Sequence, residues 1–124
     1  MQGRPATPRI SAVIITRNEE RRLPACLSAL AFADEIVVLD SGSTDRTREI
    51  ATEHGAIVSS RDFDDFPAQK NHAIEQASGD WILSVDADEI VPAELAEELL
   101  AAGFQSAPYY ELMLGAAVIH AAEV

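Results

Sequence analysis

The chain is 124 residues long and carries 21 Asp and Glu against 9 Lys and Arg, a formal net charge of −12. It therefore lacks the basic face by which proteins hold nucleic acid or an anionic membrane surface. The length suits one domain with its own core, 48% apolar residues agree with a globular chain, and the single cysteine, Cys26, can close no internal disulfide and build no cysteine-based metal site, as expected of a cytoplasmic protein.

In chain order, the first nine residues, MQGRPATPR, are Pro-rich with no apolar centre and read as a disordered tail rather than a targeting segment. From Ile10 onward, short β-branched runs alternate with helical patterns, which predicts α/β architecture: a mostly parallel sheet flanked by helices. The first strand is Ser11 to Thr16, continuously apolar as befits a strand covered on both faces. It ends at the polar loop Arg17, Asn18, Glu19, and Leu23, Leu27 and Leu30 then mark a helix face. The second strand, Glu35 to Leu39, stops at Asp40 in the loop Asp40-Ser41-Gly42-Ser43-Thr44-Asp45. A helix follows to about His54, with Ser43 or Thr44 expected to cap it and Gly55 to end it in the left-handed region. Ala56 to Ser60 is a third, shorter strand, residues 61 to 67 a loop, and Ala68 to Ala77 a helix closed by Ser78 and Gly79. Trp81 to Val85 is the fourth strand, running into Asp86-Ala87-Asp88-Glu89, and Pro92 opens a last helix to about Ala102. Beyond Gly103 the pattern is compatible with strand or helix, and the longest apolar run, Leu112 to Ile119, is far shorter than a bilayer crossing requires.

Ligands of open parallel sheets bind beyond the carboxyl ends of the strands. The strand ends supply Glu19, Asp40, Asp86 and Asp88, four carboxylates expected on one rim, and crowded carboxylates repel unless a cation intervenes. Asp86 and Asp88 stand at i and i+2, about 6.6 Å apart along an extended strand and on the same side, so both can address one ion. Hard oxygen ligands suit Mg²⁺ or Mn²⁺, which keep waters and take one or two carboxylates together with substrate phosphates. A solvated strand end is the plainer reading of Asp-x-Asp, a turn carboxylate that of Asp40, and a solvated counter-charge that of Lys70, the one lysine in the chain. His54 and His72 read as helix-surface residues and Cys26 as a small core residue. No glycine-rich phosphate loop, no G-x-S-x-G and no EF-hand spacing occurs.

The order Ile14-Ile15-Thr16-Arg17-Asn18-Glu19-Glu20, Val38-Leu39-Asp40-Ser41-Gly42-Ser43-Thr44-Asp45-Arg46-Thr47 and Asp86-Ala87-Asp88-Glu89 resembles family 2 glycosyltransferases of the GT-A fold. Phe66-Pro67-Ala68-Gln69-Lys70-Asn71-His72-Ala73 looks like the bacterial subgroup that adds a glucose to the lipopolysaccharide inner core. The resemblance implies a nucleotide-sugar donor, UDP-linked, and a glycolipid or polysaccharide acceptor. Carried over by position, it implies that Thr16, Arg17, Asn18 and Glu19 hold the nucleotide, that Asp40 reads the uracil edge, and that Lys70 and Asn71 lie near the nucleotide. It further implies that Asp86 lies near ribose and metal, that Asp88 ligates the metal, and that transfer is inverting and metal-dependent.

The likeness runs over residues 10–102, leaving 1–9 as a tail and 103–124 as an atypical C-terminal segment. The family's acceptor half and general base lie downstream of the metal motif, so the chain is expected to be truncated at its C-terminus. Neither Glu111 nor Glu123 is assigned as a base. A non-catalytic nucleotide-binding remnant, or a partner module completed by a second chain, is the alternative. A receiver-like phosphotransfer domain also gathers carboxylates at strand ends, but places them after the first strand, where this chain has Thr16 and Arg17. No transmembrane segment is expected, and peripheral association with the inner membrane is reserved for a full-length protein.

Overall fold

A computed structural model describes residues 9–63, 65–79, 81–102, 109–111 and 118–121. The tail expected over residues 1–9, apart from Arg9, lies outside the described residues, as does Glu123.

Four β-strands and four helices alternate: β1 (Ile10–Thr16), α1 (Leu23–Ala29), β2 (Glu35–Asp40), α2 (Thr47–Glu53), β3 (Ile57–Ser60), α3 (Phe66–Glu75), β4 (Trp81–Ser84) and α4 (Ala93–Ala102). Two short strands follow, β5 (Tyr109–Glu111) and β6 (Val118–Ala121), which resolves the choice between strand and helix for these stretches. The sheet order is β3-β2-β1-β4-β6-β5. The first four strands are mutually parallel, while β6 lies antiparallel to β4 and to β5. The expected α/β sheet is therefore present, with an antiparallel extension at one side.

Strand pleating sends alternate residues of β1 to opposite faces. Ala12 and Ile14 pack with Leu23, Cys26 and Leu27 of α1, Ile50 and Ala51 of α2 and Leu95 of α4. Val13 instead joins Val37, Leu39 and Ile82 beneath Ala73 of α3. Both faces of the central strands are thus covered, which is why β1 and β2 read as unbroken apolar runs. Removing each of the Val, Leu and Ile side chains among these from water stabilises the fold by about 1.5–3 kcal/mol. The chain winds from β1 out to β3 and then crosses over through α3 to β4, so strand order reverses at β1. The carboxyl ends around β1 form the crevice where such sheets bind ligands.

Two local expectations are corrected. α3 begins at Phe66, two residues before the expected Ala68, because the Asp65 side chain accepts a bond from the Ala68 N–H (2.7 Å) and Pro67 fits the first turn. α2 is capped by neither Ser43 nor Thr44: Asp45 accepts the Thr47 N–H instead (2.9 Å), while Ser43 and Thr44 bond Asp40 and Asn18. Gly55 does follow α2 at φ +83°. Among the described residues no helix is long and apolar enough to cross a membrane.

Candidate functional site

The loops leaving β1 and β2 are laced together. Asn18 takes a left-handed backbone at φ +53°, which asparagine tolerates better than most residues. In that pose its N–H donates to Ser43 Oγ (2.7 Å) and its Oδ1 accepts the Thr44 N–H (2.8 Å). The Glu19 N–H donates to Thr47 Oγ1 (2.8 Å), the Glu20 N–H to Asp45 Oδ2 (3.3 Å), and the Arg46 N–H to Glu20 Oε1 (3.1 Å).

Asp40 lies beneath this lacing. Register pairs Thr16 with Asp40 on adjacent strands, and the pleat turns both toward the α1–α2 face. Asp40 Oδ1 accepts from Thr16 Oγ1 (2.9 Å) and Ser43 Oγ (2.6 Å), and Oδ2 accepts from the Gly42 N–H (3.1 Å) and the Ser43 N–H (2.7 Å). Arg48 Nε stands 3.9 Å from Oδ2. The carboxylate is 0% exposed. The expected rim of four carboxylates therefore loses Asp40, because strand parity aims it into the packed face and the loop's own donors occupy its oxygens.

The other face of the same strand ends carries a cavity of about 330 Å³ lined by Ile15, Thr16, Arg17, Glu19, Ser41, Phe63 and Phe66. Ser41, one residue past Asp40 and of opposite parity, reaches this side. Its Oγ accepts from Gln69 Nε2 (2.8 Å), and Gln69 also donates to the Arg61 carbonyl (3.1 Å) and accepts from Arg61 Nη1 (2.6 Å). Gln69 is fully buried. Ser41, Phe66 and Gln69 stand inside the motifs quoted above without an assigned role, and Phe63 lies outside them, in a loop whose phenylalanines among polar residues are its sequence signal. Lys70 is half-buried, donating to Ser84 Oγ (2.5 Å) with its Nζ 5.3 Å from the Phe66 ring centroid. Asn71 is exposed on α3. Asn18 faces a separate polar hollow of about 450 Å³ with Glu19, Glu20, Arg21, Arg22 and Asp45.

Beyond β4 the chain turns, the Glu89 N–H donating to the Asp86 carbonyl and the Asp86 N–H to Glu89 Oε1 (both 2.9 Å). Ala87 is buried while Asp86 and Asp88 on either side of it are exposed. Arg22 Nη1 lies 3.6 Å from Asp88 Oδ2. Cys26, directly beneath, reports the local field: burial first, and then the carboxylates of Glu89, Asp88, Asp86 and Glu19, push its thiol up to about 12. Of the expected rim, Glu19 borders the cavity, Asp86 and Asp88 are exposed beyond β4, and Asp40 is buried. Among the described residues no three acidic, His or Cys side chains form a ready-made metal cage. Two outward carboxylates with open space around them suit an ion that draws its remaining ligands from water and a diphosphate.

The family model of glycosyl transferase family 2 matches residues 11–106. A TPR repeat-containing protein of Synechococcus elongatus is 48% identical over 96 residues, covering 76% of this chain and 24% of the relative. The lipopolysaccharide core biosynthesis glycosyltransferase LpsC of Rhizobium meliloti is 38% identical over 101 residues, covering 75% and 37%. Glucosyl-3-phosphoglycerate synthase of Mycobacterium tuberculosis, crystallised with Mn²⁺, UDP and glucosyl-3-phosphoglycerate, superposes with a TM-score of 0.62 at 30% identity, over 75% of this chain and 40% of that one. The chain thus spans well under half the length of these proteins.

Proposed function

The chain belongs to glycosyl transferase family 2, and from that membership we propose that it forms the donor-binding part of a GT-A glycosyltransferase. The donor is a nucleotide sugar, UDP-linked, the acceptor a bacterial envelope glycan such as lipopolysaccharide core, and the site of action the cytoplasm. The observation that carries the proposal is the placement of exposed Asp86 and Asp88 just beyond β4, the strand next to β1, whose carboxyl end borders a cavity. The likeness to a synthase crystallised with Mn²⁺ and UDP supports the choice of ligand, and the likeness to LpsC supports the choice of acceptor.

Asp86 and Asp88 would hold Mg²⁺ or Mn²⁺, which when bound offsets the charge of the diphosphate and of the departing nucleotide. Arg17 and Glu19 border the cavity and Thr16 contributes to its wall. The Thr16 hydroxyl is spent on Asp40, so Asp40 and Asn18 act by setting the loops. Lys70 acts from α3, where it reaches toward β4.

Calorimetry with UDP-glucose and Mn²⁺ tests the proposal. Binding is expected, and Asp88→Ala, at an exposed position where stability changes by less than about 0.5 kcal/mol, should weaken it at least tenfold. Absence of binding by the unaltered chain rejects the proposal. The short span relative to its relatives favours a second reading, a nucleotide-binding remnant or a module completed by a partner chain. Metal-dependent binding with no UDP release would select that reading over an active transferase.

A further inference from the structure

Four large apolar side chains stand well exposed among the described residues: Ile57, Phe63, Phe66 and Ile90. Two of them, Phe63 and Phe66, each 50% exposed, line the same cavity. An exposed phenylalanine is costly in water, and two beside one pocket form a surface that a ligand would cover. Ile15 continues the apolar wall, while Ser41, Arg17 and Glu19 set polar groups around it. Flat aromatic surface with hydrogen-bonding groups at its edge is the combination that suits a planar heteroaromatic ring.

The surroundings fix Phe66 in place. Lys70 Nζ lies over its ring at 5.3 Å and is itself held by Ser84 Oγ at 2.5 Å, so a cation–π contact steadies the ring from one face. The cavity is built from the ends of β1 and β2, whereas Asp86 and Asp88 follow β4 on the other side of β1. A ligand with a flat ring at one end and a metal-binding diphosphate at the other would lie across the end of β1.

We propose that Phe63 and Phe66 form a stacking wall for the base of the nucleotide donor, making them base-binding residues of the donor site. The assignment rests on the donor-binding function proposed above and goes beyond it by naming which side chains meet which part of the ligand.

The test compares UDP, UDP-glucose and inorganic pyrophosphate, each with Mn²⁺, by calorimetry on the full chain. F63A/F66A should weaken UDP and UDP-glucose alike by about tenfold, a typical loss for removing base–aromatic stacking, and leave pyrophosphate within about twofold. F63L/F66L, which keeps apolar bulk without a ring, should recover only part of the loss. Melting curves of both variants exclude unfolding, and both sites are half exposed. Unchanged UDP affinity in F63A/F66A overturns the assignment, as does an equal loss for pyrophosphate or full recovery by leucine. A loss confined to UDP-glucose would move the wall from base to sugar and overturn it as well. If the unaltered chain binds neither UDP nor UDP-glucose, the donor-binding function falls and the base assignment with it, whether or not pyrophosphate binds; if it binds them and F63A/F66A binds them equally well, the base assignment alone falls.

Discussion

Asp40 shows how far residue-scale inference carries. Its position at a strand end was legible from the text of the chain, and so was its place in a tight turn. Its direction was not, because that depends on strand parity and on what lies across the ladder. Parity turns it toward the α1–α2 face, where Thr16, Ser43 and the Gly42 and Ser43 amides use both oxygens. Removing the carboxylate leaves several buried donors without partners, so Asp40→Ala should cost about 3 kcal/mol in urea unfolding. Donor binding should weaken as a consequence of loop disorder. A variant of unchanged stability that has nonetheless lost UDP binding would show instead that Asp40 touches the base. Asp86 and Asp88 are exposed on either side of buried Ala87, but β4 ends at Ser84 and a turn follows, so the strand alternation from which a shared side was expected does not extend to them.

At the scale of elements, alternation of strand and helix was legible because both faces of the sheet are covered, so that the central strands read as unbroken apolar runs between polar, helix-forming stretches. Ends and glycines were harder. Gly79 was read as a helix terminator, yet α3 ends at Glu75 and Gly79 is needed for a different reason. A methyl group there would sit 2.5 Å from Ser11 Oγ, 2.9 Å from the Arg9 carbonyl and 3.0 Å from the Ser11 nitrogen. Two of those neighbours are backbone and cannot swing aside. The Gly79 N–H also donates to Ser11 Oγ (2.8 Å), so the β4 entry is pressed against β1. Gly79→Ala should therefore destabilise by about 2–3 kcal/mol, measurable as a lower denaturation midpoint with an unchanged slope. A variant as stable as the parent would mean that this approach relaxes freely.

For the whole molecule, acidity governs behaviour in solution. Glu35 pins the amino end of the sheet, accepting from Ser11 Oγ (2.6 Å), the Ser78 N–H (2.6 Å) and Ser78 Oγ (2.9 Å). Partial burial works against its charge, but the bonds from Ser11 and Ser78 outweigh this and hold the carboxyl below its ordinary 4.5. The folded state then binds its proton less readily than the unfolded state. The stabilisation is complete above pH 4.5 and is lost as pH falls through the depressed folded value. Glu35→Gln should flatten that part of the stability–pH curve while lowering stability modestly at neutral pH. Because the isoelectric point is about 4.4, net repulsion between molecules vanishes in the same range, so the titration is best followed at low micromolar concentration. Net charge was available from composition alone; that Asp40 leaves the rim was not, because its burial depends on the donors that Thr16 and Ser43 bring to it.

The lacing between residues 18–20 and 43–47 also sets a rule for engineering. Each loop finds its hydrogen-bond partners in the other, and the left-handed Asn18 is held by that exchange. Transplanting either loop alone from a relative would strand the donors of the one left behind. The two must be exchanged as a single cassette, with Thr16 and Asp40 carried along as its base.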